Sequence, residues 1–184
     1  MASAEEILSF WFGQPRERWF LRDEAFDDEC RRRFLPAVER AAEGELDDWR
    51  DEPRSCVALL LLLDQFPRNL FRGTPQAFAS DARAREVARH GLARGLDMAL
   101  PPLWRWFMYL PFEHSESVND QRLSVALFEV LALYHSDSRE ALDYARQHRD
   151  VIQRFGRFPH RNVTLGRPTT PEESVFLQEP GSSF

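Results

Sequence analysis

The sequence predicts an all-α protein, an array of about seven to eight antiparallel helices packed as a superhelix or bundle. Apolar residues recur at helical spacing, most clearly at Phe26, Cys30, Phe34 and Val38. Capping residues, Gly and Pro punctuate these segments, and the sequence contains no alternating strand pattern with hairpin turns. At 184 residues, the chain fits a single domain spanning 1–184.

Start and stop residues place the first two helices. Ser3 and Glu6 form a capping box before the first helix, which Gly13 ends. Asp23 can cap a long second helix, and Gly44 stops it. The following segment, DEPRSCVALLLLLDQF, is apolar on most sides and therefore predicts a central buried helix.

Proline and hydroxyl residues mark the next elements. Pro67 is expected to end or kink the buried helix. Thr74 and Pro75 are expected to open a helix rich in Ala. The segment PPLWRWFMYLP predicts a short aromatic helix bracketed by Pro, and the hydroxyl of Ser117 is expected to cap the helix after it.

Two helices are expected at the C-terminal end of the chain. Ser138 begins the first of them, and Gly156 ends it. The second starts with a capping box of Thr170 and Glu173, with Pro171 at the first helical position.

Composition excludes several classes of function. A net charge of −6 argues against nucleic-acid binding, which needs a basic surface. All 24 basic residues are Arg, so a Schiff-base lysine and a phosphate-loop lysine are ruled out. Glycine-rich nucleotide loops and Cys/His catalytic signatures are missing from the sequence, so we expect no cofactor.

Cysteine usage and hydropathy indicate a cytoplasmic protein. Cys30 and Cys56 lie among apolar neighbours on predicted helices, which is typical of reduced, packed thiols. The longest aliphatic run, Cys56 to Leu63, is far below the ~18 residues that suggest a membrane span. The N-terminus carries acids where a secretory signal needs positive charge.

The first polar cluster is the stretch DQFPRNLFRG. Asp64 and Arg68 are four residues apart and share a face if helical geometry persists through Pro67. Arg68 and Asn69 are candidate ligand-binding residues. The structural alternative is a helix end at which these two side chains satisfy loose carbonyl groups.

The second polar cluster is the stretch LPFEHSESVNDQR. His114 and Glu116 are candidate catalytic acid–base residues, and Asp120 and Gln121 are candidate ligand-binding residues. Such a carboxylate–imidazole group can move protons or hold a divalent cation, but the spacing specifies no metal. The structural alternative is that acids at a helix start stabilise the helix dipole.

The third polar cluster is RFGRFPHRN, residues 154–162, together with His148 on the helix that runs into this stretch. His148 lies on an apolar helical face, so it is expected to point inward, where a hydrogen-bonded core histidine is the structural alternative. The candidate ligand-binding residues of this cluster are His148, Arg157, His160, Arg161 and Asn162.

The second and third clusters are expected to lie together. Arg154, Arg157 and Arg161 cannot all be buried unpaired, because an isolated buried charge is very costly. The surplus acids in a matching setting are Glu113, Glu116 and Asp120. Matched charges would form an internal clasp, whereas surplus Arg would form an anion pocket.

Five ordered motifs, FWFG, LLLLLDQFPRNLFRGTPQAF, YLPFEHSESVNDQ, RFGRFPHRNVTLGR and TPEESVFL, resemble the bacterial domain-of-unknown-function family 924 over almost the full chain. The resemblance implies an all-helical array of tetratricopeptide-like type and specifies no reaction. Pro168 departs from it, standing where a polar or acidic residue is expected. The motif positions carried over are Asp64, Gln65, Arg68, Asn69, His114, Ser115, Glu116, Asp120, Gln121, Arg154, Arg157, Arg161 and Asn162.

Three functions stay open at the level of sequence. The first is a binding module with an Arg/His/Glu pocket for a small anionic ligand or an acidic peptide. The second is a hydrolase or lyase, with His114 or Glu116 as acid–base and Arg157 and Arg161 stabilising an anion. The third is a structural clasp, with partner binding elsewhere. The sequence does not set the oligomeric state.

Overall fold

The structure is a computed structural model that describes residues 2–182, and every regular element in that range is helical. The all-α prediction is confirmed, and the tetratricopeptide-like arrangement stays a prediction. None of the helices in residues 2–182 has the length and apolar character needed to cross a membrane. The α-helices are α1 (Ala4–Phe12), α2 (Glu24–Glu43), α3 (Pro53–Leu60), α4 (Phe66–Leu70), α5 (Asp81–Ala93), α6 (Pro102–Glu113), α7 (Val118–Tyr134), α8 (Ser138–Phe155) and α9 (Pro171–Phe176).

The chain forms two compact units. The first unit contains the chain up to Arg72 together with Gln76–Pro111, and the second contains Gly73–Pro75 and the chain from Phe112 onward. The single domain spanning 1–184 stays a prediction.

Helix α3 lies at the centre of the first unit, as the sequence predicted. Every residue from Cys56 to Leu63 is 0% exposed, and α3 packs against α1 and α5. Phe10 and Phe34 are 4.9 Å apart between ring centroids, and Trp11 lies 5.3 Å from Phe66. The core is therefore aliphatic along α3 and aromatic around α1, α2 and α4.

The buried helix does not end at Pro67. A π-helical segment, Leu61–Gln65, joins α3 to α4, and the helix continues through Pro67 to Leu70. The Phe66 N–H bonds to the Leu61 carbonyl, one residue further than in an α-helix. The wider turn accompanies a Pro that supplies no N–H and crowds the preceding turn. Helical geometry therefore extends across the first polar cluster.

The helix expected from Thr74 is divided in two. Pro75–Phe78 form a short 3₁₀ turn, and α5 begins only at Asp81, after Ser80. The Asp81 carboxylate is bound by Arg68 of α4, at 3.1 Å. This tertiary ion pair accompanies the helix start, which sequence propensity had placed six residues too early.

Two details around α6 and α7 also differ from prediction. Helix α6 continues through Pro111 to Glu113, because the fixed φ of Pro is compatible with helix even though one hydrogen bond is lost. Ser117 is the N-cap residue of α7, but its side chain makes no capping bond. Instead, the Ser117 N–H donates to Ser115 Oγ at 3.2 Å.

The main elements of the second unit are the α7–α8 hairpin, the following loop and α9. Ser138 begins α8, and Gly156 ends it with φ of 70°, a left-handed conformation that Gly adopts without strain. Val151, Ile152 and Phe158 form its buried cluster, with Phe155 and Phe176 packed against them. The predicted capping boxes at Ser3/Glu6 in the first unit and Thr170/Glu173 here are confirmed.

Candidate functional site

The first polar cluster lies in the first unit and is an ion-pair network. Arg68 Nη1 is 3.3 Å from Asp64 Oδ1, and Arg68 binds Asp81 at 3.1 and 3.2 Å through both terminal nitrogens. Burial alone would lower the pKa of Arg68, but the charges of Asp64 and Asp81 raise it. Arg68 also donates to the Asp64 carbonyl, as the structural alternative predicted, but the helix continues past this point to Leu70.

Asn69 and Arg72 extend this network to α2. Asn69 Nδ2 donates to Asp27 Oδ1 at 2.7 Å, and Arg72 binds the same carboxylate at 2.6 and 3.0 Å. Asp27 is 8% exposed, so its charge requires these partners. The two candidate ligand-binding residues of the first cluster, Arg68 and Asn69, are thus both engaged within the first unit.

In the second unit, side chains of α7 hold the turn between α6 and α7 in place by hydrogen bonds. Gln121 Nε2 donates to the carbonyls of Glu113 and Ser115, at 2.5 and 2.7 Å. Ser115 Oγ donates to Asp120 Oδ2 at 2.8 Å. Gln121 is 0% exposed. Gln121 therefore holds the backbone of the turn that carries His114 and Glu116, and Asp120 holds the Ser115 side chain within that turn.

Glu116 joins this turn to the C-terminal loop. It accepts the Phe158 N–H at 2.8 Å and binds Arg167 at 2.8 and 3.0 Å. Arg167 also donates to the Phe158 carbonyl at 3.0 Å. Burial alone would raise the pKa of Glu116, but the bonds from Arg167 and the Phe158 N–H lower it below its usual 4.5. A carboxylate held in this way is a poor proton acceptor near neutral pH.

Arg157 pairs with an acid of α9 and not with an acid of the turn between α6 and α7. Its guanidinium binds Glu173 at 2.6 and 2.8 Å, and Glu173 also accepts from Asn162 Nδ2 at 3.2 Å and the Thr170 N–H at 2.7 Å. The Arg157 bond, the Thr170 N–H and the Arg157 charge outweigh burial and lower the pKa of Glu173 to about 2. We had expected Glu113, Glu116 and Asp120 to pair with the Arg side chains of the third cluster. For Arg157 this expectation is wrong, because its partner is Glu173.

Two imidazoles and a guanidinium lie against the Phe158 ring. His148 lies 5.5 Å from it and His160 5.6 Å between ring centroids, and the Arg161 guanidinium is 4.5 Å above it. His114 lies 6.2 Å from His148. His148 and Arg161 are buried, and His114 and His160 are half-buried.

His148 is a neutral core histidine. Its Nδ1 is 2.9 Å from the Tyr144 carbonyl and 3.3 Å from Glu113 Oε1. A carbonyl can only accept, so Nδ1 carries the proton. Burial, followed by the charge of His114, lowers the pKa of His148 to about 3. His148 therefore contributes a dipole to the cluster at neutral pH, not a charge.

The structure brings the second and third clusters together and keeps the first within the other unit. Glu116 contacts Phe158 and Arg167, and His148 contacts Glu113. Sequence reasoning did not assign Arg167 and used Glu173 only as a cap. The sequence did contain a signal for both residues. Arg167 is the last residue of the motif RFGRFPHRNVTLGR, and the carboxylate of a capping glutamate has a second oxygen that can accept a hydrogen bond.

A surface groove between α7 and α8 was not foreseen from the sequence. It has a volume of about 850 Å³ and is walled by Ala126, Val130 and Leu133 of α7 and Leu142 of α8. Its charged rim consists of Glu129, Arg139, Asp143 and Arg146. Arg146 pairs with Glu129 at 3.1 Å.

The α7 wall of this groove is part of an apolar stripe that repeats every seven residues. Apolar side chains at positions 123, 126 and 127 are followed seven residues later by apolar side chains at 130, 133 and 134. These are the a, d and e positions of two successive heptads. Val130 is 59% exposed, Leu133 84% and Tyr134 56%. The heptad was a readable signal for this face. The α7 stripe consists of Leu123, Ala126, Leu127, Val130, Leu133 and Tyr134.

Within residues 2–182, no group of three or more His, Cys, Asp or Glu side chains is arranged to hold a metal ion. The fold and these clusters define an all-α protein with polar motifs at the ends of its helices. The family model for bacterial proteins of unknown function, DUF924, matches residues 7–181, and the chain belongs to this family. The motif resemblance is thereby confirmed.

A solved structure shares this architecture. The structure of a protein of unknown function from Agrobacterium tumefaciens is similar to this chain with a TM-score of 0.88 and 45% sequence identity. The similarity covers 95% of this chain and 96% of that one. No curated protein matches the chain.

Proposed function

We propose that the protein is a helical binding module whose polar motifs hold each of its two units together internally and whose recognition surface is the α7–α8 groove, which accepts an amphipathic helix. The observation that carries this proposal is the α7 stripe, a heptad of apolar side chains that includes Leu133 at 84% exposure. Contiguous exposed apolar surface rimmed by charge is typical of interaction sites.

Internal bonding of the polar motifs supports the first half of the proposal. In the second unit, the carboxylates of Glu116 and Glu173 are each bound by two nitrogens of one Arg. In the first unit, Arg68 is bound in the same two-pronged manner by Asp81. Paired, largely buried charges of this kind specify how segments meet.

The period of the stripe supports a helix as the occupant. Side chains spaced by 3.5 residues on average form the holes into which the side chains of a second helix insert. The rim holds two carboxylates, Glu129 and Asp143, and two guanidinium groups, Arg139 and Arg146. An apolar helix with mixed flanking charges therefore suits the groove better than a strongly charged partner.

Displayed helical peptides with apolar a and d positions test the groove. Peptides selected on the wild-type protein are expected to bind Leu133→Asp at least tenfold more weakly, because a carboxylate replaces a stripe residue that is 84% exposed. Val163→Asp is the matched control, since Val163 is 86% exposed but lies outside α7 and α8. Equal loss in both variants, or no loss in Leu133→Asp, would contradict the proposal.

The hydrolase or lyase alternative makes Glu116 a general base. The bonds to Arg167 and the Phe158 N–H favour a structural role instead. Glu116→Gln is expected to lower the unfolding free energy by about 2 kcal/mol, because it weakens charge-assisted hydrogen bonds. Urea unfolding measures this loss. A variant of unchanged stability would favour the catalytic alternative.

A small anionic ligand is the second candidate, and the cluster around Phe158 favours it. The Arg161 guanidinium is 4.5 Å from the Phe158 ring, with the His148 and His160 rings on the same aromatic side chain, so an anion would be attracted there. Titration with inorganic phosphate, followed by imidazole NMR shifts, tests this candidate. Saturable shifts that chloride at equal ionic strength does not reproduce would support an anion site.

A further inference from the structure

We propose that the occupant of the α7–α8 groove is a second copy of this chain, held by antiparallel contact between two α7 helices across a two-fold axis. This inference rests on the proposed function, because it takes the α7 stripe to be a docking surface. It adds the identity of the partner and the direction in which the two helices run.

The residue sequence of the stripe is complementary to itself in the antiparallel direction. With the axis level with Phe128, Ala126 of one copy faces Val130 of the other, and Leu123 faces Leu133. A small residue then meets a branched one, and two long residues meet each other, which fills space evenly. A parallel pair in register would set Ala126 against Ala126 and leave a gap at that level.

Charge does not oppose a second copy at this surface, although it does over the chain as a whole. The whole chain carries a net charge of −6, so two copies repel each other over most of their surfaces. The groove rim carries no net charge, with Glu129 and Asp143 balanced by Arg139 and Arg146. Glu129, nearest the axis, is already paired with Arg146 at 3.1 Å. Each copy therefore brings a neutral ion pair to the contact, not a bare carboxylate.

The size of the stripe sets the strength of the pair. Its exposed large side chains are Val130, Leu133 and Tyr134, at 59%, 84% and 56%. Three side chains supply only part of the ~800 Å² that a stable standard-size complex buries on each partner. We therefore expect a reversible pair and not a permanent dimer.

Sedimentation velocity of the full chain over a wide concentration range tests the association. The wild-type protein and Val163→Asp are expected to shift from monomer to dimer as concentration rises. Leu133→Asp is expected to associate at least tenfold more weakly, and its exposed position spares the fold. A wild-type protein that remains monomeric at the highest concentration, or a Leu133→Asp variant that associates normally, would overturn the inference.

Cysteine crosslinking tests the direction of the helices. In the antiparallel pair, a mixture of Leu123→Cys and Leu133→Cys chains forms a mixed disulfide on mild oxidation. Leu133→Cys chains alone do not crosslink, since the two positions lie at opposite ends of the contact. The native thiols do not interfere, because Cys30 and Cys56 are buried. Crosslinking of Leu133→Cys with itself would overturn the antiparallel arrangement.

The peptide and association experiments separate the two proposals. A monomeric wild-type protein whose groove still binds helical peptides would remove the second copy and keep the recognition surface. A monomeric protein that also fails to bind peptides through Leu133 would remove both. Concentration-dependent pairing that Leu133→Asp abolishes supports both.

Discussion

At the level of single residues, one carboxylate can organise several segments of chain. Glu173 accepts from Arg157, from Asn162 and from the Thr170 N–H. It is only 2% exposed, so each of these donors replaces a water molecule. The capping glutamate of α9 is thereby also the anchor of the loop that follows α8.

The ionisation of Glu173 predicts a pH dependence of stability. Its folded-state pKa of about 2 lies below its usual 4.5, so its contribution is fully present above about pH 4.5 and is lost as the pH falls toward 2. Glu173→Gln is expected to lower the unfolding free energy by about 2 kcal/mol at pH 7. The difference from the wild-type protein should shrink below pH 4, as measured by urea unfolding.

Glu172→Gln is the control for this prediction. Glu172 is the neighbouring acid, and its side chain is 64% exposed in its ion pair with Arg154. An exposed pair contributes little, so the change should stay within about 0.5 kcal/mol at every pH. Equal effects of the two variants would mean that burial of Glu173 has no energetic consequence.

At the level of helices, the residue that ends a helix sets the direction of the chain that follows, as Gly156 does at the end of α8. Gly156 ends α8 with φ of 70°, and a Cβ built there meets nothing within 4 Å. Its N–H bonds to the Ile152 carbonyl at 2.8 Å. The left-handed turn that follows directs the chain into the loop carrying Arg157 and Phe158.

Gly156→Ala isolates the cost of this backbone conformation. Space is open around the new methyl group, so only the left-handed φ is penalised, by about 1 kcal/mol. Gly156→Asn should cost less, since Asn tolerates this region. Thermal and urea unfolding measure both variants. An Ala variant as stable as the wild-type protein would show that the turn relaxes to another conformation at no cost.

Helix boundaries show where sequence reasoning succeeds and where it does not. The capping boxes of α1 and α9 are contained within four residues, so the sequence predicts them directly. The start of α5 accompanies the ion pair between Arg68 and Asp81, and the course of the helix through Pro67 accompanies a π-helical segment. Neither can be read from a local pattern, because each depends on packing around it.

At the level of the whole molecule, both native thiols report on global opening. Cys30 and Cys56 are each 0% exposed in the core of the first unit, and burial raises the pKa of both thiols to about 12. We expect a thiol reagent at pH 8 to label neither residue while the unit is folded and both together in denaturant.

A reporter on the surface provides the reference for this labelling. Gln147→Cys introduces a thiol at an exposed position on α8 and should react at once. Mass spectrometry distinguishes the three sites. Rapid labelling of Cys30 or Cys56 in native buffer would show that the first unit opens locally, without global unfolding.

The sequence by itself determined the helical class, the buried α3 helix, most caps and the polar clusters, because helical period and capping are properties of neighbouring residues. Only the tertiary structure decided which acid each Arg meets, as Arg157 with Glu173 and Arg167 with Glu116 show. The same is true of the α7 stripe, whose heptad is visible in the sequence but whose exposure is not. Charge pairing and exposure depend on segments distant in the chain, and a local pattern does not specify which of them come together.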